Sequence, residues 1–219
     1  MKEWLIRLKG GKSSLENLSK LGLPVGWSVT EDDGNYYLRS ANFNSLANAG
    51  DVRVHANGFL EAIRAALGFK LGYPQAIEVD AVIGVEENGT REHSAQLTAN
   101  AVIAGTLDDS IESLIPLAIQ DKNVRDALRF FPEQNWVNLY KIYEIVRDDV
   151  GGDDKVVKNG WATKNEIKRF TQTAQSRDAL GDAARHASAK FKSPSKPMSL
   201  SEAMSLIKIV LENWLCSKG

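Results

Sequence analysis

One stretch decides the fold of the N-terminal half: WSVTEDDGNYYLRS, residues 27–40. Residues 27–30 and 36–40 have the β-branched and aromatic composition of strands. Asp33-Gly34 lies between them, and this dipeptide is a strong signal for a tight hairpin turn. The two strands are therefore predicted to pair in antiparallel orientation.

The hairpin is preceded by one predicted strand and one short predicted helix. Residues 4–8 alternate in polarity well enough to form a strand, and Gly10-Gly11 ends it. The helix that follows is predicted to be capped by Ser13 or Ser14. Glu16 stands three residues after Ser13, which is the position that closes a capping box.

The hairpin is followed by a longer helix and a second pair of strands. Helical spacing of apolar residues begins after Asp51, which is the predicted N-cap, and Gly68 is placed to end this helix. Residues 77–85 and 94–103 then alternate as strands do, around a second turn signal at Asn88-Gly89.

The order of these elements, β-α-β-β-α-β-β, predicts an α+β protein with a two-layer sandwich over residues 1–105. Its first six elements match the split-βαβ, or ferredoxin-like, arrangement, although other two-layer arrangements stay open. Strand signals stop there, so residues 106–219 are predicted to form an all-helical domain. Residues 136–146 are apolar on nearly every side, which is typical of a central helix. Pro116 is expected in the first turn of its helix, because proline lacks an N–H donor.

Two capping boxes mark helix starts in this second half: Thr163 with Glu166, and Ser199 with Glu202. Residues 148–154, which contain four aspartates and two glycines, are expected to form a loop. Those aspartates do not follow the alternating positions of a calcium-binding loop, so a solvated loop is the preferred interpretation.

Composition limits the class of protein. The 219 residues are 43% hydrophobic and 25% charged, which is ordinary for a globular protein. A net charge of -1 and a pI near 6.3 argue against a dedicated nucleic-acid binder with a strongly basic surface. A single cysteine, Cys216, excludes an intramolecular disulfide, so the cytoplasm is the expected location. No apolar run is long enough to predict a membrane span.

The sequence predicts no cofactor and no metal site. Residues 10–13, Gly-Gly-Lys-Ser, lie between a strand and a helix as a phosphate-binding loop does, but Ile6 stands where that loop requires a further glycine. His55, His93 and His186 are far apart, and none has a second ligand at the spacing of a zinc site.

The basic segment, residues 177–196, is the one concentration of positive charge. Its candidate anion-binding residues are Arg177, Arg185, Lys190, Lys192 and Lys196, opposed only by Asp178 and Asp182. Arg185 and His186 would project about 100° apart on a helix, unless the helix ends or bends there, as Gly181 allows. Two interpretations stay open: these side chains hold a phosphate and transfer a proton, or Arg185 binds helix-end carbonyls and His186 is an interior residue.

The C-terminal half resembles the helical domain of a group of bacterial proteins that have no assigned activity. The resemblance rests on WVNLYKIYE at 136–144, on Ala184-Arg185-His186, and on PMSLSEA at 197–203 before a final helix that contains Trp214. More loosely, this half is similar to HEPN-like helical bundles of bacterial toxin and phage-defence systems. Active members cut RNA with an arginine and a histidine at a short interval, which Arg185 and Arg177 do not reproduce with His186.

Two hypotheses of different class follow. The first is a non-catalytic interaction or regulatory protein, of a bacterial defence or mobile-element system, that binds a protein or an anionic partner such as RNA through the basic segment. The second is a HEPN-like, metal-independent ribonuclease, in which His186 is the general acid or base and Arg185 or Arg177 stabilises phosphate charge. Tyr140 or Tyr143 would lie near the substrate. The sequence predicts no membrane partner and leaves a homodimer open.

Overall fold

The computed structural model describes residues 3–85, 91–95, 110–185 and 191–219, and of residues 91–95 and 110 it describes the backbone alone. The chain forms two compact units, Met1–Gln120 and Asp121–Gly219, which we call the sheet unit and the helical unit. The predicted domain boundary at residue 105 lies outside the described residues.

The sheet unit is built on five antiparallel strands. They are β1 (Glu3–Gly10), β2 (Trp27–Asp32), β3 (Asn35–Ser40), β4 (Ile77–Val85) and β5 (Arg91–Ala95). Their order across the sheet is β2-β3-β1-β4-β5, and each neighbouring pair is antiparallel. The strands predicted at 77–85 and in the hairpin are confirmed, whereas the turn at Asn88-Gly89 and residues 96–103 lie outside the described residues.

Three helices belong to this unit: α1 (Lys12–Lys20), α2 (Ala49–Leu71) and α3 (Ser110–Gln120). α1 connects β1 to β2, and α2 connects β3 to β4. With the strand order β4-β1-β3-β2, this connectivity is that of the split-βαβ sandwich, to which β5 adds a further strand beside β4. The predicted α+β class, with an N-terminal sheet and C-terminal helices, is therefore confirmed.

The predicted hairpin turn forms as its sequence requires. Asp33 and Gly34 both have positive φ, at 49° and 73°. A two-residue turn of this type matches the twist of the paired strands, and glycine enters it without steric cost. The backbone N–H of Gly34 also donates to Glu31 Oε1 at 2.6 Å, so an acidic side chain of β2 closes the turn.

β1 and β4 have buried apolar residues on both faces of the sheet. Ile6 and Val82 oppose each other across the ladder and lie on one face. Leu5 opposes Ile83 on the other face, where both are buried together with Ala81. Each face of the sheet therefore has buried apolar residues at these two strands.

Three expectations about helix ends in the sheet unit are wrong. Gly11, and not a serine, is the N-cap of α1, so no capping box forms with Glu16. The N-cap of α2 is Asn48, whose side chain accepts from the N–H of Asp51. The same helix ends at Gly72, which has the left-handed conformation typical of a helix C-terminus. Gly68 lies inside the helix, where burial of its neighbours offsets the low helix propensity of glycine.

Pro116 lies inside α3 and not in its first turn. The helix nevertheless persists, because Ile115 and Ala118 on either side of the proline are fully buried. Glu112, in the first turn of α3, also accepts a hydrogen bond at 2.8 Å from the N–H of Gly22. Tertiary contacts thus offset the backbone hydrogen bond that the proline removes.

The helical unit contains six helices in its described residues. They are α4 (Lys122–Phe130), α5 (Trp136–Val150), α6 (Asp153–Lys158), α7 (Lys164–Gln175), α8 (Arg177–Leu180) and α9 (Leu200–Cys216). The predicted central helix is confirmed: α5 packs against α4, α6, α7 and α9, and Leu139, Ile142 and Val146 on it are fully buried. Both predicted capping boxes also form.

The expected loop over residues 148–154 is wrong. α5 continues to Val150 and α6 begins at Asp153, so only Gly151 and Gly152 connect the two helices. Both glycines have positive φ, at 89° and 114°, a conformation that other residues adopt only with strain. Among the described residues, no helix combines the length and the apolar character that crossing a bilayer requires.

Candidate functional site

Arg185, a predicted anion-binding and catalytic residue, is already engaged by the helical unit. Its guanidinium lies 2.9 Å from Glu144 Oε2 and sits over the ring of Tyr140, with 4.3 Å from Cζ to the ring centroid. Its backbone N–H donates to the carbonyl of Ala174 at 2.9 Å. The positive charge of Arg185 is thus paired with a carboxylate of α5 and packed on an aromatic face.

The platform beneath Arg185 is a buried tyrosine with partners on α7. Tyr140 is 4% exposed, its hydroxyl accepts a hydrogen bond from Gln175 of α7, and its ring stacks on Phe170 at a centroid distance of 5.9 Å. These contacts join α5 to α7 beneath the guanidinium. Anchoring of the chain after α8 is therefore the role that the contacts of Arg185 support.

Arg177, the other predicted arginine, is bound elsewhere. It is the first residue of α8, is exposed, and lies 3.3 Å from Asp182 Oδ1. Gly181 ends α8 with a φ of 59°, so the helix breaks between the two arginines as its sequence allows. Arg177 and Arg185 consequently pair with carboxylates of different elements, Asp182 and Glu144.

His186 and Lys190 lie outside the described residues. The roles predicted for them, proton transfer for His186 and anion binding for Lys190, stay predictions. The two remaining lysines of the basic segment, Lys192 and Lys196, are described, and both are exposed. In the described part of the chain, neither has a carboxylate oxygen within ion-pair distance of 4.0 Å.

Both lysines lie in what we call the basic loop, residues 191–197, whose end is fastened by Arg169 of α7. Arg169 Nε donates to the carbonyl of Lys196 at 2.9 Å, and its NH2 group donates to the carbonyl of Pro197 at 3.1 Å. The same NH2 group reaches both carboxylate oxygens of Glu202 at 3.0 Å. One guanidinium thus ties α7, the basic loop and the first turn of α9 together.

A second set of bonds fixes the chain directly after the basic loop. The N–H of Met198 donates to Thr173 Oγ1 at 3.0 Å, and both residues are buried. Ser199 then caps α9, and its N–H donates to Glu202 Oε2 at 2.8 Å. That backbone hydrogen bond, with a further contribution from Arg169, lowers the pKa of Glu202 to about 2.

Two aspartates at the α5–α6 junction, Asp148 and Asp153, have structural partners. Asp148 lies 2.7 Å from Arg147, and Asp153 accepts from the hydroxyl of Tyr143 at 2.5 Å. Burial of Tyr143, together with the neighbouring negative charge of Asp153, raises the pKa of this tyrosine. Among the described residues, no group of histidine, cysteine and acidic side chains has the arrangement of a metal site.

One polar cluster was not found from the sequence. Lys218 lies 2.7 Å from Asp121 and 3.0 Å from Asp149, and Asp149 also accepts from Trp214 Nε1 at 2.8 Å. Desolvation alone would lower the pKa of Lys218, but its hydrogen bonds to the two aspartates outweigh this and raise it. No local pattern indicates such a contact, because residues 121 and 218 are 97 positions apart.

No protein-family model matches this chain, and comparisons with curated proteins and with solved structures found no match either. The resemblance to HEPN-like bundles therefore stays a prediction, and the site has to be interpreted from its own geometry. That geometry indicates a basic loop with two exposed lysines, held at its end by Arg169, whereas Arg177 and Arg185 already have carboxylate partners.

Proposed function

We propose that this protein is a non-catalytic interaction protein whose helical unit binds an acidic segment of another protein through the basic loop. The observation that carries the proposal is the exposure of Lys192 and Lys196 on a loop whose end Arg169 holds. A loop that is ordered before binding loses less conformational entropy when a partner docks. Exposed lysines that have no carboxylate partner among the residues described are available to one from outside.

Charge distribution supports an anionic partner. The helical unit has 17 lysines and arginines against 13 aspartates and glutamates, a formal net charge of +4, whereas the sheet unit has 10 against 15, or -5. Between Asp182 and Glu202 the sequence contains four lysines and arginines and no acidic residue. The positive charge is therefore concentrated around the basic loop and is hidden by the near-neutral total.

The aromatic residues favour a protein partner over single-stranded nucleic acid. Proteins that bind single strands stack the bases on accessible aromatic rings. In the helical unit, every aromatic side chain that the structure describes is buried or half-buried, and Tyr140, Tyr143 and Trp214 are at most 4% exposed.

Binding to a model acidic polypeptide tests the proposal. Fluorescein-labelled poly-L-glutamate is titrated with the full chain at low ionic strength, and binding is followed by fluorescence anisotropy. Replacing Lys192 and Lys196 together by glutamine should weaken binding about fivefold, since each exposed ion pair contributes about 0.5 kcal/mol. The matched control is the double replacement of Lys155 and Lys158, which are exposed on α6 and should bind like the wild type.

A parallel assay of RNA cleavage tests the ribonuclease hypothesis. Labelled single-stranded RNA is incubated with the wild type and with His186→Ala, in the presence of EDTA. Cleavage by the wild type that the variant loses would replace the proposed function by a HEPN-like activity. Equal binding of poly-L-glutamate by the two double-lysine variants would refute the role of the basic loop.

A further inference from the structure

The strand β2 forms one edge of the sheet. In the described part of the chain, the order β2-β3-β1-β4-β5 gives β2 a neighbouring strand on one side only. β2 pairs with β3 without a shift in register, from Trp27 opposite Ser40 to Asp32 opposite Asn35. An edge strand presents a row of backbone N–H and C=O groups, and a further strand can pair with them.

The hairpin turn determines which backbone groups of β2 point outward. Asp32 and Asn35 flank the two-residue turn and form its closing pair. Such a pair exchanges both of its backbone hydrogen bonds, and bonded and non-bonded pairs alternate along an antiparallel ladder. Thr30 therefore bonds to β3, whereas the N–H and C=O groups of Val29 and Glu31 point away from it. Among the described residues, these four groups have no hydrogen-bond partner.

The β2 edge lacks several features that keep edge strands from pairing. Its sequence, WSVTED, contains no proline and no lysine, and its ladder with β3 contains no bulge. Four of its side chains are exposed: Ser28, Thr30, Glu31 and Asp32. The strand is therefore accessible to another chain along most of its length.

The charge of this edge determines which kind of strand it favours. Glu31, Asp32 and Asp33 are consecutive and exposed, and the sequence contains no basic residue between Lys20 and Arg39. In the part of the chain that the structure describes, none of the three carboxylates has an ion-pair partner within 4.0 Å. Opposite charges on neighbouring strands stabilise their pairing, and like charges destabilise it. The edge is therefore complementary to a basic strand.

We propose that the β2 edge binds an extended basic segment of another protein, which adds to the sheet as a further strand. The backbone of the segment would pair with the outward groups of Val29 and Glu31, and its lysine or arginine side chains would lie beside the carboxylates. A second copy of this chain is disfavoured, because it would bring a sheet unit with the same net charge of -5. This surface belongs to the sheet unit and is independent of the function proposed for the basic loop.

Peptides test the proposal on the unmodified protein. A fluorescein-labelled peptide of alternating lysine and threonine is titrated with the full chain at low ionic strength, and binding is followed by fluorescence anisotropy. The same peptide with every backbone amide N-methylated keeps its charge but loses its N–H donors. It should bind about tenfold more weakly, because the carbonyls of Val29 and Glu31 would lose their donors. A peptide with glutamine in place of lysine should also bind more weakly.

Two outcomes of the peptide titrations would overturn the proposal. Equal binding of the N-methylated peptide would show that charge alone attracts the probe and that no strand is added. Failure of the lysine–threonine peptide to bind at millimolar concentration would show that the edge does not accept a basic strand.

Two variants at one position separate backbone pairing from charge. Glu31→Ala removes the carboxylate, whereas Glu31→Pro removes the carboxylate and also the outward N–H. Proline is tolerated at this position of an edge strand, because the N–H of Glu31 makes no bond to β3. Glu31→Pro should bind the lysine–threonine peptide about fivefold more weakly than Glu31→Ala does. Circular dichroism checks folding, and equal binding by the two folded variants would refute pairing at this edge.

A double variant tests the charge. Asp32→Asn with Asp33→Asn should weaken binding of the lysine–threonine peptide about fivefold, and asparagine tolerates the positive φ of residue 33. The matched control is Glu61→Gln with Glu212→Gln, which removes two exposed carboxylates outside the hairpin and should bind like the wild type. Sedimentation velocity without peptide completes the test. A dimer that Glu31→Pro disrupts would assign the edge to a second copy and overturn the proposal.

Discussion

The sheet unit and the helical unit are specified by different kinds of interaction. In the sheet unit, backbone ladders fix the strand order, and a turn encoded by two adjacent residues, Asp33 and Gly34, fixes the hairpin. In the helical unit, side chains from distant positions close on helix ends: Arg169 binds Glu202, 33 positions away, and Trp214 binds Asp149, 65 positions away. The comparison teaches that the first architecture depends on local backbone chemistry and the second on particular long-range side-chain pairs.

Removal of Arg169, the side chain at the centre of the long-range contacts in the helical unit, should have the largest effect on stability. Arg169→Ala takes hydrogen bonds from the carbonyls of Lys196 and Pro197 and from the carboxylate of Glu202. Because these bonds involve a charged donor and Arg169 is 28% exposed, the free energy of unfolding should fall by about 2 kcal/mol. Urea denaturation measures the loss, and amide hydrogen exchange should quicken at residues 195–199.

Two further variants show whether the shape of the guanidinium matters. Arg169→Lys keeps the charge but lacks the planar fork that serves two carbonyls and a carboxylate together, so it should recover only a small part of the loss. Arg129→Ala removes an arginine that is 63% exposed and bound to Asp126, and it should cost no more than about 0.5 kcal/mol. Equal losses for Arg169→Ala and Arg129→Ala would show that the long-range pair is dispensable.

In the sheet unit, the replacement of glycine by alanine is tested at two positions. Gly34→Ala places a side chain at a φ of 73° in the hairpin turn and should cost about 1 kcal/mol. Gly58 is exposed within α2, and a Cβ there would meet no atom within 4 Å, so Gly58→Ala should stabilise the protein by about 0.5–1 kcal/mol. The same sign of effect at both positions would contradict the role assigned to the turn. Thermal denaturation of the two variants gives the comparison directly.

The same difference explains how much could be predicted from the sequence. The hairpin, the central helix and the boxes at Thr163 and Ser199 were predicted correctly, because each depends on residues within a few positions. The predicted ends of α2 were wrong, because residues near Asn48 and Gly72 are equally plausible caps by sequence. Burial in the folded protein decides which of them end the helix.

The candidate site was predicted less well than the fold. Arg185 was recognised as a notable residue, but its partner Glu144 lies on another helix, so its neutralised charge could not be predicted. Arg169 gave no signal at all, because its acceptors are mainly backbone carbonyls of a distant loop. The support that Arg169 gives to the loop of Lys192 and Lys196 is visible only in the tertiary structure.

Acid titration tests the smallest of these effects, the one at the start of α9. The pKa of Glu202 is about 2 in the folded protein, against an ordinary value of 4.5. A carboxylate whose folded pKa is lowered contributes stability above its unfolded pKa, and this contribution is lost as the pH falls through the folded pKa. Stability from Glu202 is thus complete above pH 5 and declines between about pH 4.5 and 2.

Glu202→Gln should therefore be less stable than the wild type at neutral pH and show a shallower loss of stability between pH 5 and pH 2. Urea denaturation at a series of pH values measures this slope. Asp121 and Asp149 also have lowered pKa values, but both are present in the two proteins. Their contribution to the pH dependence of stability therefore cancels in the comparison. Glu212→Gln, on the same helix and 3.9 Å from Lys208, should follow the wild-type curve.

In an Arg169→Ala background the effect of Glu202→Gln on stability should shrink, because the guanidinium of Arg169 contributes to the lowered pKa of Glu202. If Glu202→Gln had the same effect in that background, the lowered pKa of Glu202 would come entirely from the cap of α9. Glu202 would then make no electrostatic contribution to holding Arg169 at the basic loop.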